Sequence, residues 1–359
     1  FDISVGDPTR ISDITSAHIV YLVHTSTNAP EFATESSVSR RYKDFRWLYH
    51  ALEDNNPGVI VPPPPEKQFV GRFDDDFIET RRIALEKMLQ KIAEHPRLQL
   101  DPSFKLFLQS ETFAVDAKHI VRENDVPTSS GGFMNSLGFG FAPKFVESDE
   151  WFTDTKVYAE DLAAQLGVMS KSVDAIVAQR KDLAQATSSL SESLHELAGV
   201  EISRSLSELI ANLAMAEDRI KAVYERQSMQ DMMTIGATIE EYICYIGSFR
   251  HTLDQRQKLF LNWQQLDAEL NRKRSALDKI RRQGRTQQDK LAQQQTEVTK
   301  AEAKAAQAKV AFEEIGGVIK KEFKRLDSAR KSDFHQSIET FLESAVEAQK
   351  EAIEIWETF

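Results

Sequence analysis

Three short stretches in the first part of the chain carry residue types that hold anions. Ser39-Arg40-Arg41-Tyr42-Lys43-Asp44-Phe45-Arg46-Trp47-Leu48 passes from a strand pattern into a helix pattern, so two arginines and a tyrosine fall on the junction. Arginine's planar fork grips phosphate oxygens in pairs, and a helix amino terminus adds oriented N–H groups. Tyr42 could cover the apolar face of an inositol-type ring. Further on, Val61-Pro62-Pro63-Pro64-Pro65-Glu66-Lys67 is polyproline-like, stiff before any ligand arrives, and ends in one placed cation, Lys67. Asp76-Phe77-Ile78-Glu79-Thr80-Arg81-Arg82 then opens a helix whose buried stripe is Ala84, Leu85, Met88, Leu89 and Ile92. Arginines in a first turn oppose the helix dipole, which makes an anionic partner an expectation. Alone, Arg-Arg-Tyr reads as a surface patch and a proline run as a partner motif. The ordered trio is more specific than any member.

These residues need a scaffold, and the chain divides in a way that supplies one. All eleven prolines lie between Pro8 and Pro143. Proline removes a helix donor and clashes with the preceding turn, so the proline-free remainder permits very long helices. Residues 1–114 read as a compact α+β domain with strand-like runs at Phe1–Val5, His18–His24 and Glu35–Arg41. Because the chain opens inside a strand-like run, a preceding segment is expected. Residues 115–146 read as a linker, rich in Gly, Ser, Thr and Asn over Asp125–Pro143.

From residue 147 to 359 apolar residues recur at three- and four-residue steps through three tracts, which is helical amphipathicity. Weak glycine breaks fall at Gly199 and Gly284. The second and third helices would each run for roughly 75 residues, about 110 Å, which makes an elongated antiparallel three-helix bundle. The steps drift from a strict heptad and bulky aromatics interrupt the seam, unlike a plain coiled coil. Gly316-Gly317 marks a kink in the third tract.

Composition removes several classes of function. The formal net charge of −11 opposes broad affinity for nucleic acid or anionic lipid, so anion binding has to be local. Cys244 is the only cysteine, which rules out an intrachain disulfide and cysteine-rich zinc sites. The eight histidines show no metal-ligand spacing, and neither metal nor cofactor is expected. No apolar run approaches the length of a membrane span and no leader opens the chain, so a cytosolic protein is expected.

Three regions are candidates for membrane contact. Residues 271–290 carry Arg272, Lys273, Arg274, Lys279, Arg281, Arg282, Arg285 and Lys290 against Asp278 and Asp289, a local balance of +6 around the turn between the second and third helices. Such a cluster near anionic lipid is worth about 1 kcal/mol per basic residue, and its other reading is a solvated helix face. Lys320, Lys321, Lys324, Arg325, Arg330 and Lys331 form a second group. In the linker, Phe133, Met134, Leu137 and Phe141 share one side of a possible amphipathic helix that either wedges into lipid or packs between the domains.

Arg-Arg-Tyr-x-Asp-Phe, the proline loop ending in Lys and the helix opening in Arg-Arg together closely resemble a PX (phox homology) domain over residues 1–114. The resemblance implies that Arg41 holds a 3-phosphate, Tyr42 packs on the inositol ring, Lys67 meets the 1-phosphate, and Arg81, or less favourably Arg82, meets the ring hydroxyls. Phosphatidylinositol 3-phosphate is then the implied ligand. Phe69 and Val70, followed by Asp74-Asp75-Asp76, offer only shallow insertion, so stable docking needs a second membrane contact. Glu147-Ser148-Asp149-Glu150-Trp151-Phe152, Phe260-Leu261-Asn262-Trp263 and the closing Ile353-Glu354-Ile355-Trp356-Glu357-Thr358-Phe359 resemble a sorting-nexin BAR domain. The likeness is to the retromer-associated sorting nexins of the vacuolar protein sorting group and their animal counterparts. It implies a homodimer, or a heterodimer with a related sorting nexin, that senses or generates curvature. It also implies the retromer core complex as partner and endosome-to-Golgi retrieval as the process, at the cytosolic face of endosomes.

Two other classes compete. An enzyme merely targeted by its PX domain needs a catalytic constellation, and the sequence holds no phosphate-binding Gly-Lys-Ser/Thr loop, no Gly-x-Ser-x-Gly elbow and no kinase signature set. A coiled-coil tether or scaffold without curvature activity differs from the leading reading in having no dependence on liposome size.

Overall fold

A computed structural model describes residues 1–12, 17–66, 75–124, 145–282 and 288–359. Among these, three strands pair antiparallel in the order β1 (Asp2–Ser12), β2 (Ala17–Ser26), β3 (Glu35–Arg41). The register sets Val5 opposite Val23 and Val23 opposite Val38, so these alternating apolar residues bury on one face. The β1–β2 ladder slips between Gly6 and Thr9, where Asp7 takes φ 46°. This bulge is why β1 runs well past the strand-like Phe1–Val5 of the sequence pattern.

Helix α1 (Tyr42–Asn55) begins directly after β3. The Arg41 N–H donates to Asp44 Oδ2 at 2.8 Å, so the third residue of the helix caps its own start. Helices α2 (Asp75–Glu94), α3 (Pro102–Gln109) and α4 (Phe113–Asn124) follow. Pro102 at the first turn of α3 and Asp101, accepting from the Ser103 N–H at 2.8 Å, fix where α3 starts. Asn55 and Asn56 reach the same carboxylate at 3.2 and 2.8 Å.

From residue 150 onward the described chain is almost wholly helical: α5 (Glu150–Val200), α6 (Arg204–Asp231), a π-helical turn (Met232–Gly236), α7 (Ala237–Arg282) and α8 (Gln288–Thr358). Helix α5 ends one residue past Gly199, while Gly284 lies outside the described residues. The second long helix is interrupted by the π turn, where Gly236 is the one weak breaker and no proline occurs. Gly316 and Gly317, expected to kink the third helix, sit within unbroken α8. Gly316 has a packing reason instead, since a Cβ there would stand 2.8 Å from Arg256 Nη1.

The chain folds as two compact units. The first comprises Phe1–Pro62, Leu89–Val157 and Gly247–Leu326. Its sheet packs Tyr21 edge-on to Phe45, and Phe45 meets Phe107 at 5.0 Å. Along its stretches of α7 and α8, Phe249 meets Phe323, Phe260 and Trp263 meet Phe312, and Leu270 and Leu277 bury with Val298, Ala301 and Ala305. Partners fall in number along α8 as they rise along α7, so the two helices run antiparallel.

Gly58 in this unit has φ 82°, where a side chain is strained, and its Cβ position lies 2.8 Å from Ile315 Cγ1. Its N–H donates to Gln255 Oε1 at 2.9 Å, and Gln255 Nε2 donates to the Glu53 carbonyl at 2.9 Å. His95 accepts the Arg97 and Leu98 N–H groups on Nδ1 and faces Glu322 through Nε2 at 3.2 Å. Thus α7 and α8 take up the residues after α1 and α2.

The second unit comprises Pro63–Met88, Tyr158–Ile246 and Asp327–Phe359. Here Ser191 Oγ donates to the Ala214 carbonyl at 2.9 Å, and Arg180 pairs with buried Asp231 at 2.8 Å. These contacts bind α5 antiparallel to α6. Ala216, Ile220 and Val223 of α6 bury with Ile355 of α8, and Tyr242 donates to Asp333 at 2.7 Å. Burial pushes the Asp231 carboxyl up, against the opposing pull of Arg180.

Candidate functional site

The β3–α1 junction separates two adjacent arginines by the alternation of a strand. Arg40 points inward and is buried. Its Nε and Nη2 donate to the Phe107 carbonyl at 2.9 and 2.6 Å, Nη2 donates to the Ser110 carbonyl at 2.6 Å, and Nη1 donates to the Ser39 carbonyl at 2.9 Å. The Phe113 ring lies 4.6 Å from the guanidinium. Burial lowers its pKa to about 10, against the opposing effect of Asp44. Arg40 is therefore consumed by the fold, tying the end of β3 to the end of α3.

Arg41, one residue on, is only half-buried, and its guanidinium has no hydrogen-bond or ion-pair partner among the described residues. Its N–H is spent on the Asp44 cap, which fixes the backbone while leaving the charged fork available. Half-buried Tyr42 is the first residue of α1.

In the second unit, Arg81 and Arg82 are divided in a similar way. Arg82 is locked on its own helix, with Nε and Nη2 donating to the Glu79 carboxylate at 2.8–3.0 Å and Nη1 donating to Glu86 at 3.2 Å. The Arg82 hydrogen bonds draw the Glu79 carboxyl below its usual range and raise Arg82 in turn. Arg81 is buried, lies 4.2 Å from the Phe77 ring centre and donates to the Glu66 carbonyl at 3.4 Å. Arg82 is thus committed to two carboxylates of its own helix. Lys67, Phe69 and Val70 lie outside the described residues, as do Phe133, Met134, Leu137, Phe141 and Arg285.

The basic groups differ in how much charge they leave free. Lys273 is held by Glu269 and Glu297, and Arg274 by Glu302. Arg272, Lys279, Arg281 and Arg282 are exposed with no ion-pair partner among the described residues. In the second group, Lys320 pairs with Asp149, Arg325 with Glu322, and both Arg330 and Lys331 with Asp327. Lys321 and Lys324 alone in that group are exposed with no such partner among the described residues. The pairing discounts much of the second group's formal charge.

The helices of the second unit also present an unpaid apolar face. Ile176, Leu183, Leu190 and Leu197 recur every seventh residue along α5, at 46%, 47%, 49% and 48% exposure. Ile338, Leu342, Val346, Ile353 and Trp356 of α8 are similarly exposed. A continuous apolar stripe on a surface helix marks an association face. Sequence reasoning placed the four α5 residues and Ile338 on apolar tracts, not Leu342, Val346, Ile353 or Trp356, and had no signal for which would remain uncovered.

Comparison with known proteins places this geometry in a family. The PX domain description matches residues 30–111, and the description "Vps5 C terminal like" matches residues 127–359. Over its full length the chain is 38% identical to vacuolar protein sorting-associated protein vps5 of Schizosaccharomyces pombe and 34% identical to vacuolar protein sorting-associated protein 5 of Saccharomyces cerevisiae. It spans 65% and 58% of those two curated relatives. It is also 32% identical over its full length to sorting nexin-1 of Homo sapiens, spanning 71% of that protein. Among solved structures, the SNX-BAR Mvp1 tetramer has the same fold, with a TM-score of 0.64 at 16% identity over 99% of both chains. Fold and residues together define a PX domain followed by a BAR-type helical region. The chain belongs to the PX–BAR sorting nexins, the family of Vps5 and sorting nexin-1.

Proposed function

We propose that the chain is a non-enzymatic peripheral membrane protein that binds phosphatidylinositol 3-phosphate and dimerises to sense or generate curvature. Residues 1–114 supply the lipid-binding domain, 115–146 the linker and 147–359 the dimerisation and curvature domain. Arg41 takes the 3-phosphate, Tyr42 the inositol ring, Lys67 the 1-phosphate and Arg81 the ring hydroxyls, with Phe69 and Val70 touching the bilayer.

The observation that carries this reading is the division of labour at the β3–α1 junction. Arg40 is fully engaged with backbone carbonyls, while adjacent Arg41 keeps an uncommitted fork beside a helix amino terminus. With a net charge of −11, affinity for a membrane has to come from such a local site rather than from the whole surface.

The exposed stripes on α5 and α8 support dimerisation, with a second copy or a related sorting nexin as partner. Arg272, Lys279, Arg281 and Arg282 supply a second membrane contact. No described helix is long and apolar enough to cross a bilayer. The homology to vacuolar protein sorting-associated proteins and sorting nexin-1 supports action on endosomal membrane, in transport tubules linked to the retromer core complex and endosome-to-Golgi retrieval.

Co-sedimentation with liposomes tests the lipid reading. Wild type should pellet with vesicles containing phosphatidylinositol 3-phosphate and far less with vesicles matched in charge by another anionic lipid. Equal pelleting with both would refute head-group recognition.

A further inference from the structure

The chain enters α5 through an extended strap whose residues alternate in direction, as successive side chains of extended backbone do. Phe145 packs on Phe260 at 5.0 Å, Glu147 accepts from Arg256 at 3.0 and 3.1 Å, and Asp149 takes the Lys320 ammonium at 2.7 Å. Between them Val146, at 74% exposure, and Ser148 face outward. The inner clasp is buried. Arg256 lies between the Phe152 and Phe312 rings at 4.1 and 4.2 Å and donates to the Phe312 carbonyl at 3.2 Å.

The outer clasp is open to solvent, with the side chains of Lys320 and Asp149 42% and 37% exposed. Asp149 also accepts from the Trp151 N–H at 3.1 Å, so the same carboxylate that closes the strap caps α5. The Ser148 hydroxyl has no hydrogen-bond partner among the described residues, and Glu147, Asp149 and Glu150 surround it in sequence. An exposed hydroxyl on extended backbone, set among carboxylates, is what an acid-directed kinase can take.

We propose that Ser148 is the acceptor for an acid-directed protein kinase and that its phosphate opens the outer clasp of the strap. Ser148 Oγ forms a bond to the γ-phosphorus of ATP as the bond to the β-phosphate oxygen breaks. ADP leaves, and the hydroxyl proton passes to the kinase's base. The new group brings about −2 charge at neutral pH into a run that already sets three carboxylates against two cations. It competes with Asp149 for Lys320, whereas the buried Glu147–Arg256 pair holds. The first turn of α5 then loses its tether to Lys320 of α8 while the base of the strap stays in place.

The full chain, as wild type and Ser148→Ala, is incubated with ATP and a panel of acid-directed kinases of the casein-kinase type. Mass spectrometry locates the phosphate, and amide hydrogen exchange is followed over residues 149–155. The expected result is phosphate on Ser148 that is absent from Ser148→Ala. Exchange in the first turn of α5 should quicken about two- to fivefold, the scale of one lost surface ion pair. Lys320→Gln, which removes the outer clasp without a phosphate, should quicken the same amides. Failure of every kinase in the panel to modify Ser148, or modification with unchanged exchange, overturns the proposal.

Discussion

Arg40→Ala and Arg41→Ala remove the same charge one residue apart and should have different effects. The first leaves the Phe107 and Ser110 carbonyls without their donor in a buried site and should cost about 2–4 kcal/mol of stability. The second should change stability by about 0.5 kcal/mol or less, as for an uncommitted surface group, and abolish binding to phosphatidylinositol 3-phosphate. Thermal melting and liposome co-sedimentation on the two variants separate the effects. The sequence shows both arginines at a strand-to-helix junction, and strand alternation alone puts them on opposite faces. It does not show which face is covered, because the covering group is the end of α3, some seventy residues away. Arg81 and Arg82 differ from this, since Phe77 beside Arg81 and the Glu79 and Glu86 partners of Arg82 all stand three or four residues away on one helix and were open to view.

At the scale of elements, two close approaches offer tests. Gly58→Ala places a Cβ on a positive φ and 2.8 Å from Ile315 Cγ1, and should destabilise by about 1–3 kcal/mol, with the steric part relieved in the background of Ile315→Ala, which removes that carbon. Chemical denaturation of the single and double variants measures both. The cap of α5 should respond to acid. The Lys320 hydrogen bond, against slight burial, holds the Asp149 carboxyl below its usual range. Its folded pKa is thus depressed, so its contribution is complete above the ordinary aspartate value and is lost as pH falls through the folded one. Amide exchange at the start of α5, corrected for intrinsic rate, should be flat from neutral pH to about pH 5 and quicken below about pH 4. Asp149→Asn should remove that dependence. The long helices were legible because a proline-free, amphipathic stretch has few alternatives. The π turn was not, since Met232-Met233-Thr234-Ile235-Gly236 holds only Gly236 as a weak breaker, a signal that does not distinguish a π turn from continuous helix. Gly316 was read only as a kink, and the close approach of Arg256 to it is a long-range fact invisible in local sequence.

For the molecule as a whole, the seventh-residue stripe on α5 and the exposed apolar residues of α8 bear on assembly. Sedimentation equilibrium should give twice the chain mass of 40.8 kDa if the partner is a second copy, and Leu183→Glu with Leu190→Glu should return the monomer mass. The α+β domain followed by long antiparallel helices was readable from patterning and from three anion-holding motifs, and the family followed from their order. Which basic residues remain free was not readable, because Glu297 and Glu302 of α8 meet Lys273 and Arg274 of α7 only once the helices pair. The central claim joins a specific head group to membrane shape, and electron microscopy of vesicles containing phosphatidylinositol 3-phosphate tests it most directly. Wild-type protein should draw these vesicles into tubules, and Arg41→Ala at the same concentration should leave them round. Round vesicles with bound wild-type protein, or tubules formed equally by Arg41→Ala, would contradict the account.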